Sequence, residues 1–226
     1  KDMLSTHNID VMGVVESDLP VVAGKVPLTI NGYSTLVPKH SSKGLARMIV
    51  LIKSELLPHT TILDDISTAT FPSCWISIES GQKAKVIIGM FYRLWKDGKR
   101  TSSLTHQQER FDIFLEQIRK ATNKGNHVVI TGDANIDANK YEDQSYYLRS
   151  LAEKYRSVTA SLGLKQLSLG NTFLAHKVDK HGQPITSAID HVLTTNPQKC
   201  YECNVVNTGA SDHDAVFTKV GFYRQK

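Results

Sequence analysis

Apolar and β-branched runs of strand length recur along the chain, separated by polar turns. Residues 9–15 form such a run and end in Glu16; residues 35–38 and 48–52 predict two further strands. Residues 74–79 alternate with period two, with Trp75, Ser77 and Glu79 on one side and Ile76 and Ile78 on the other. Residues 85–92 predict the next strand, with a hairpin turn over 80–83 between the two. A helix follows. Thr105 with Gln108 three residues on gives a capping-box start, Phe111, Phe114, Leu115 and Ile118 repeat at helical spacing, and Gly125 is a stop signal. Residues 127–131 predict a strand and residues 146–162 a second helix, ending near Gly163. The last strands are expected at 188–193, 204–206 and 215–220.

Many strands with only two long helices do not suit an even β-α-β repeat. The pattern predicts an α/β (α+β) sandwich, two stacked mixed β-sheets flanked by helices. No internal repeat, linker or composition break divides the chain, so residues 1–226 are read as a single domain.

Composition narrows the class. Of 226 residues, 40% are hydrophobic and 22% charged, as in folded soluble domains, which excludes a disordered or collagen-like chain. No apolar run reaches the roughly 18 residues of a membrane span. The first residues lack the apolar core of a signal peptide, and the start at Lys1 reads as that of an excised piece. Of the three cysteines, Cys200 and Cys203 form a Cys-x-x-Cys without a second pair to complete a zinc site, in a stretch that reads as a strand. They are read as structural thiols in a reducing compartment, with a nuclear or cytoplasmic location expected. The net charge of +5 permits a polyanionic partner without demanding one.

Chemistry-bearing residues gather where strands meet loops: Glu16, then Gly132-Asp133-Ala134-Asn135, then Asp190-His191, then Ser211-Asp212-His213-Asp214. Hard divalent cations take carboxylate oxygens, and Glu16, Asp133 and Asp212 offer them. Phosphodiester hydrolysis also needs a base and a group that stabilises developing charge. His213 suits the first role, and Asn135 can donate to a phosphate oxygen. Each feature alone has a plain reading: a strand end, a turn, a helix cap, a surface ion pair. Their order and combination carry more than any one of them.

That combination resembles the endonuclease/exonuclease/phosphatase superfamily, with its deoxyribonuclease I-like fold. The resemblance rests on residues 9–16, on 89–93 (Gly-Met-Phe-Tyr-Arg), on Gly132-Asp133-Ala134-Asn135, on 189–192 (Ile-Asp-His-Val) and on Ser211-Asp212-His213. Tyr92-Arg93 after an apolar strand, and Asn171-Thr172-Phe173 ahead of Ile-Asp-His, look like endonuclease domains of non-LTR (LINE-type) retrotransposons. The resemblance implies Glu16 and Asp212 as metal residues for Mg²⁺ or Mn²⁺. It implies Asp133 and His213 sharing water activation and charge stabilisation, Asp190 orienting His213, Asn135 holding the phosphate and Tyr92 near the scissile phosphate. Thr172 and Ser187 look similar to positions that touch DNA in the retrotransposon relatives, and Arg93, beside Tyr92, is a basic residue expected to contact DNA. DNA is the implied partner, with no membrane, and a reverse transcriptase domain is implied in the same polyprotein.

The family opens with a strand bearing an Asn, then a helix; residues 1–4 look like the end of that helix. The first strand therefore has no match, a gap of roughly two dozen residues by the size of a βαβ crossover. Basic residues in loops offer phosphate contacts: Lys39, His40 and Lys43; Lys96, Lys99 and Arg100; Lys177, Lys180 and His181. The Gly-, Lys- and His-rich stretch 175–184 reads as a groove-inserting hairpin. The expected function is a Mg²⁺-dependent DNA endonuclease that nicks target DNA for retrotransposon integration. An apurinic/apyrimidinic endonuclease or a phosphatase of the same fold stands second, and a non-catalytic binding relative third.

Overall fold

The computed structural model describes residues 3–38, 41–42, 44–79, 84–94, 96–97, 100–101, 103–125, 127–167, 170–209 and 211–221. In chain order it runs α1 (Met3–Thr6), β1 (Val11–Pro20), β2 (Tyr33–Leu36), β3 (Ser41–Ser42), β4 (Leu45–Lys53), β5 (Thr60–Ile62), β6 (Ser73–Glu79) and β7 (Lys85–Tyr92). It continues with β8 (Lys96–Asp97), β9 (Arg100–Thr101), α2 (Leu104–Lys124), β10 (Val128–Asp133), α3 (Arg149–Ser161), β11 (Lys165–Leu167) and β12 (Phe173–Val178). Last come β13 (Pro184–Ser187), β14 (Asp190–Thr194), β15 (Cys200–Val206) and β16 (Ala215–Val220). The predicted turn at 80–83 lies outside the described residues, as do Lys39, His40, Lys43 and Lys99 and the side chains of Lys96 and Arg100.

Two sheets stack, as the strand pattern predicts. One has the order β1-β4-β2, with β3 also on β4, and its pairs are antiparallel. The other has the order β11-β14-β10-β7-β6-β5 and is mixed, because β7 and β10 run parallel through the α2 crossover. Met48, Val50 and Ile52 of β4 pack against Cys74, Ile76, Val86, Met90, Val129 and Val192 between the sheets. On the outer face of the six-stranded sheet, Trp75, Ile87, Phe91, Val128 and Ile130 meet Phe111, Phe114 and Ile118 of α2 and Leu151 and Tyr155 of α3. Both faces of β6 and β7 are thus covered, and the period-two pattern of 74–79 separates two cores rather than core from solvent. Trp75 stands opposite Gly89 in the ladder; a Cβ there would lie 2.3 Å from the indole, so the ring requires glycine.

Several boundaries differ from the pattern for physical reasons. β1 does not stop at Glu16 but continues to Pro20 through an irregularity between Val15 and Leu19. The cap of α2 is Ser103, not Thr105: its hydroxyl accepts from the His106 amide at 3.2 Å. The second helix begins at Arg149, because Tyr146–Leu148 is held as turns by Tyr146 N to Asp143 O (3.1 Å) and Arg149 N to Tyr146 O (2.9 Å). Cys200 and Cys203 lie on β15 as expected, paired with β16.

The ladder between β7 and β10 fixes the end of the sheet. Asp133 pairs with Tyr92 in parallel register, and the Arg93 amide donates to the Asp133 carbonyl at 2.9 Å. Just before it, Gly132 takes φ +154°, and a Cβ at this position would stand 1.9 Å from the Phe91 carbonyl oxygen. Only glycine lets the two backbones approach this closely. Replacing Gly132 with Ala must push β10 off β7, and we expect a loss of about 3 kcal/mol in urea unfolding. A neutral result would remove Gly132 as the element that seats Asp133.

Candidate active site

The site lies where β1 and β4 of one sheet meet the ends of β7, β10 and β14 of the other. Asp133 is on the face of β10 that carries Val129, between the sheets, and is only 3% exposed. Asn135, in the left-handed region at φ 47°, closes an Asx turn: its amide donates to Asp133 Oδ1 at 2.7 Å. Its side-chain nitrogen donates to Asp133 Oδ2 at 2.9 Å and to the Arg93 carbonyl at 2.8 Å. Both side-chain amide hydrogens of Asn135 are thus engaged within the protein, one by Asp133 and one by the Arg93 carbonyl, where the sequence suggests a donor to a phosphate oxygen. Burial, and then the neighbouring Asp190 carboxylate, push the Asp133 pKa up, against the pull of His213.

His213 Nδ1 lies 3.0 Å from Asp190 Oδ2. Burial works against charge on this imidazole, but the Asp190 hydrogen bond and the nearby carboxylates of Asp190, Asp133 and Asp212 outweigh it, raising the pKa to about 9. His213 is therefore an imidazolium at neutral pH. One oxygen each of Asp133 and Asp190 and one nitrogen of His213 all lie within 4.8 Å of one another. The carboxylates are the hard oxygen donors that suit a divalent cation, whereas a protonated imidazole offers no lone pair. Carboxylates of this kind suit a hard metal; with Asp190 committed to His213 and Asp133 to Asn135, the accessible one at the site is Glu16, 60% of whose side chain is exposed.

On the other wall, Tyr92 is 3% exposed and donates its hydroxyl to Glu16 Oε1. Burial, followed by Glu16, raises the Tyr92 pKa, so the phenol stays protonated and serves as a donor. Arg47 joins them from β4, with Nη2 3.2 Å from the Tyr92 hydroxyl and 3.5 Å from Glu16 Oε1. Asp212 is half-buried, 3.3 Å from the Ser211 hydroxyl, and acts on His213 through its charge.

Two expected DNA contacts are corrected by burial. Arg93 is 2% exposed and is spent inside: Nη1 donates to the carbonyls of Ala134 (3.1 Å) and Asn135 (2.9 Å), and Nη2 donates to Gln107. Thr172 is 0% exposed, and its hydroxyl accepts from the amides of Ile189 (3.2 Å) and Asp190 (3.0 Å). Its carbonyl accepts from the Asp214 amide at 2.8 Å, so Thr172 ties the Asp190 strand to the His213 loop. Ser187 is half-buried at the end of β13, its carbonyl accepting from Thr172 N at 2.9 Å. Sequence reasoning missed Arg47, Asp18 and Phe173, whose ring stands edge-on to His213 at 5.0 Å. Only Phe173, beside Thr172 in a quoted motif, carried a signal.

The Endonuclease/Exonuclease/phosphatase family model matches residues 1–213. A search of curated proteins finds no match. Among solved structures, the endonuclease domain of TRAS1, a telomere-specific non-LTR retrotransposon, superposes with a TM-score of 0.70 at 16% identity, covering 96% of this chain and 88% of that one. A 3′ phosphatase from Neisseria bound to a product DNA hairpin gives 0.67 at 14%, covering 97% and 91%. An AP endonuclease from Archaeoglobus fulgidus gives 0.62 at 14%, covering 96% and 91%. These likenesses bear out the deoxyribonuclease I-like fold. Among the described residues, no helix is long and apolar enough to cross a membrane.

Two outcomes follow from this geometry. By NMR, His213 titrates near pH 9 in the wild type and falls toward the ordinary value of 6.5 in Asp190→Asn. The raised pKa stabilises the fold below pH about 6.5, and that contribution is lost as pH rises through about 9; the variant lacks this slope. An unshifted His213 in the variant would break the Asp190 account. Thr172→Val leaves two buried amides without their acceptor and costs about 2 kcal/mol in urea unfolding; an unchanged midpoint would put Thr172 outside the site's framework.

Proposed function

Because the chain belongs to the endonuclease/exonuclease/phosphatase family, we propose that it is a divalent-metal-dependent DNA endonuclease that nicks target DNA for a non-LTR retrotransposon. The observation that carries the reading is the convergence of Asp133, Asp190 and His213 within 4.8 Å at the mouth between the sheets. The substrate is a phosphodiester: water forms the new P–O bond at phosphorus, the P–O bond to the leaving sugar oxygen breaks, and that oxygen departs as a hydroxyl after taking a proton from solvent. Asp133, in its ionised form and made more basic than an ordinary carboxylate by burial and by Asp190, accepts the proton of the attacking water. His213, charged and aimed by Asp190, donates to a non-bridging oxygen as negative charge builds there. Tyr92, protonated and anchored by Glu16, offers a second donor to the phosphate. Glu16 and Asp212 would hold the divalent ion, Mg²⁺ or Mn²⁺, which supplies positive charge to the phosphate when bound. Asn135 keeps Asp133 in register and acts through it.

The β12–β13 hairpin supports DNA as the substrate. Lys177, Lys180 and His181 are exposed at its end, beside exposed Leu174, Val178 and Ile185. That gives a phosphate-seeking tip with apolar groups able to press into a groove. The retrotransposon role draws on Tyr92-Arg93, on Asn171-Thr172-Phe173 and on the likeness to the TRAS1 domain, and on that reading a reverse transcriptase domain shares the polyprotein.

Supercoiled plasmid with Mg²⁺ tests the reading. We expect nicked circles from the wild type, none with EDTA and at least a hundredfold slower nicking by Asp133→Ala. Release of phosphate from a 3′-phosphoryl end without nicking would favour a phosphatase, and nicking confined to abasic plasmid an apurinic/apyrimidinic endonuclease. DNA binding with neither reaction would leave a non-catalytic relative. Shortening the 175–184 tip should keep the nicking rate within a few-fold and redistribute cleavage sites; an unchanged site distribution would remove the hairpin from recognition.

A further inference from the structure

The irregularity in β1 has an unusual partner. Val15 pairs with Met48 and Leu19 with Ala46, so three residues, Glu16, Ser17 and Asp18, stand opposite the single Arg47. Glu16 and Asp18 both take left-handed backbone, φ 53° and 46°, conformations that non-glycine residues hold only where the surroundings enforce them. Ser17 pins the bulge by donating its hydroxyl to the Ala46 carbonyl at 2.6 Å. The result is that two carboxylates of one strand converge on one guanidinium. Nη1 of Arg47 lies 2.6 Å from each oxygen of Asp18, while Nη2 faces Glu16 Oε1 at 3.5 Å and the Tyr92 hydroxyl at 3.2 Å. The guanidinium carbon also stands 5.5 Å from the centre of the Tyr92 ring.

We propose that Arg47 is a built-in counter-cation of Glu16, competing with a divalent metal ion for that carboxylate and lowering the metal affinity of the free protein. This rests on the reading of Glu16 as a metal residue. Glu16 is the most exposed member of the set, with 60% of its side chain accessible, so an ion can reach it. An ion bound there meets a fixed positive charge a few ångströms away, and two like charges at that distance repel. Asp18 provides the place where Arg47 stays when Glu16 is taken, because its pair with Nη1 does not involve Glu16. The phosphate of a bound substrate adds negative charge that both cations neutralise, so metal and phosphate favour each other's binding. Arg47 thus acts as a positioning residue that makes a loaded site depend on substrate.

The test is binding of Mn²⁺ alone to the intact chain, read by the loss of the free-ion electron paramagnetic resonance signal. Arg47→Gln should bind at least about tenfold more tightly than the wild type. The gain should vanish in the double variant with Glu16→Gln. Equal affinity of wild type and Arg47→Gln, both weakened by Glu16→Gln, would overturn the competition while leaving Glu16 as the metal residue. A gain that survives Glu16→Gln, or no Mn²⁺ binding by any of the proteins, would overturn both. A measurement on unmutated protein covers the case in which Arg47→Gln does not fold. With ¹⁵N-labelled arginine, the Arg47 guanidinium resonance should shift in step with added Mg²⁺, and a resonance indifferent to saturating Mg²⁺ would overturn the proposal.

Discussion

The close approach of β10 to β7 at Gly132 is the constraint from which the site follows. Because the Phe91 carbonyl occupies the space of a Cβ, the two parallel strands stay in register to their last residues and deliver Asp133 beside Tyr92. The Arg93 amide closes that register on the Asp133 carbonyl, and the Arg93 side chain then reaches across to hold the carbonyls of Ala134 and Asn135. A buried cation is costly unless it is hydrogen-bonded, and Nη1 and Nη2 of Arg93 both are. Here it locks the loop after β10, and that loop carries the Asn135 turn that orients Asp133.

Electrostatics builds on this frame. A carboxylate as buried as Asp133 resists ionisation, and the second carboxylate of Asp190 adds to the resistance. The imidazolium of His213 pulls the other way without cancelling them, and the same carboxylates hold its own charge. Thr172 holds the two loops that bring His213 to Asp190, and Phe173, the next residue, stands edge-on to the ring. The opposite wall is separate: Glu16, Asp18, Tyr92 and Arg47 form their own network. On the proposed function, a phosphate carrying negative charge would lie between the walls, with His213 on one side and the Tyr92 hydroxyl on the other.

The strands and the two long helices were legible because their apolar periodicity is imposed by two cores, and the convergence of Asp133, Asp190 and His213 was legible because each sits at or beside a strand end. Three kinds of feature escaped. Three-residue strands such as β5 and β11 are too short for a period to register. Arg93 and Thr172 look like surface contacts by residue type, yet their partners are buried backbone groups that no local pattern reveals. Arg47 meets Glu16 across 31 residues through a bulge, and a bulge breaks the alternation from which side-chain direction is read.

The central claim is that the two walls together bind a phosphate and its metal ion. An anomalous-difference map from crystals grown with Mn²⁺ and a short DNA duplex tests it most directly. We expect a manganese peak on the Glu16 carboxylate, with a backbone phosphate within hydrogen-bonding reach of both His213 and the Tyr92 hydroxyl. Manganese away from Glu16, or DNA lying on a different face with no phosphate between the walls, would contradict it.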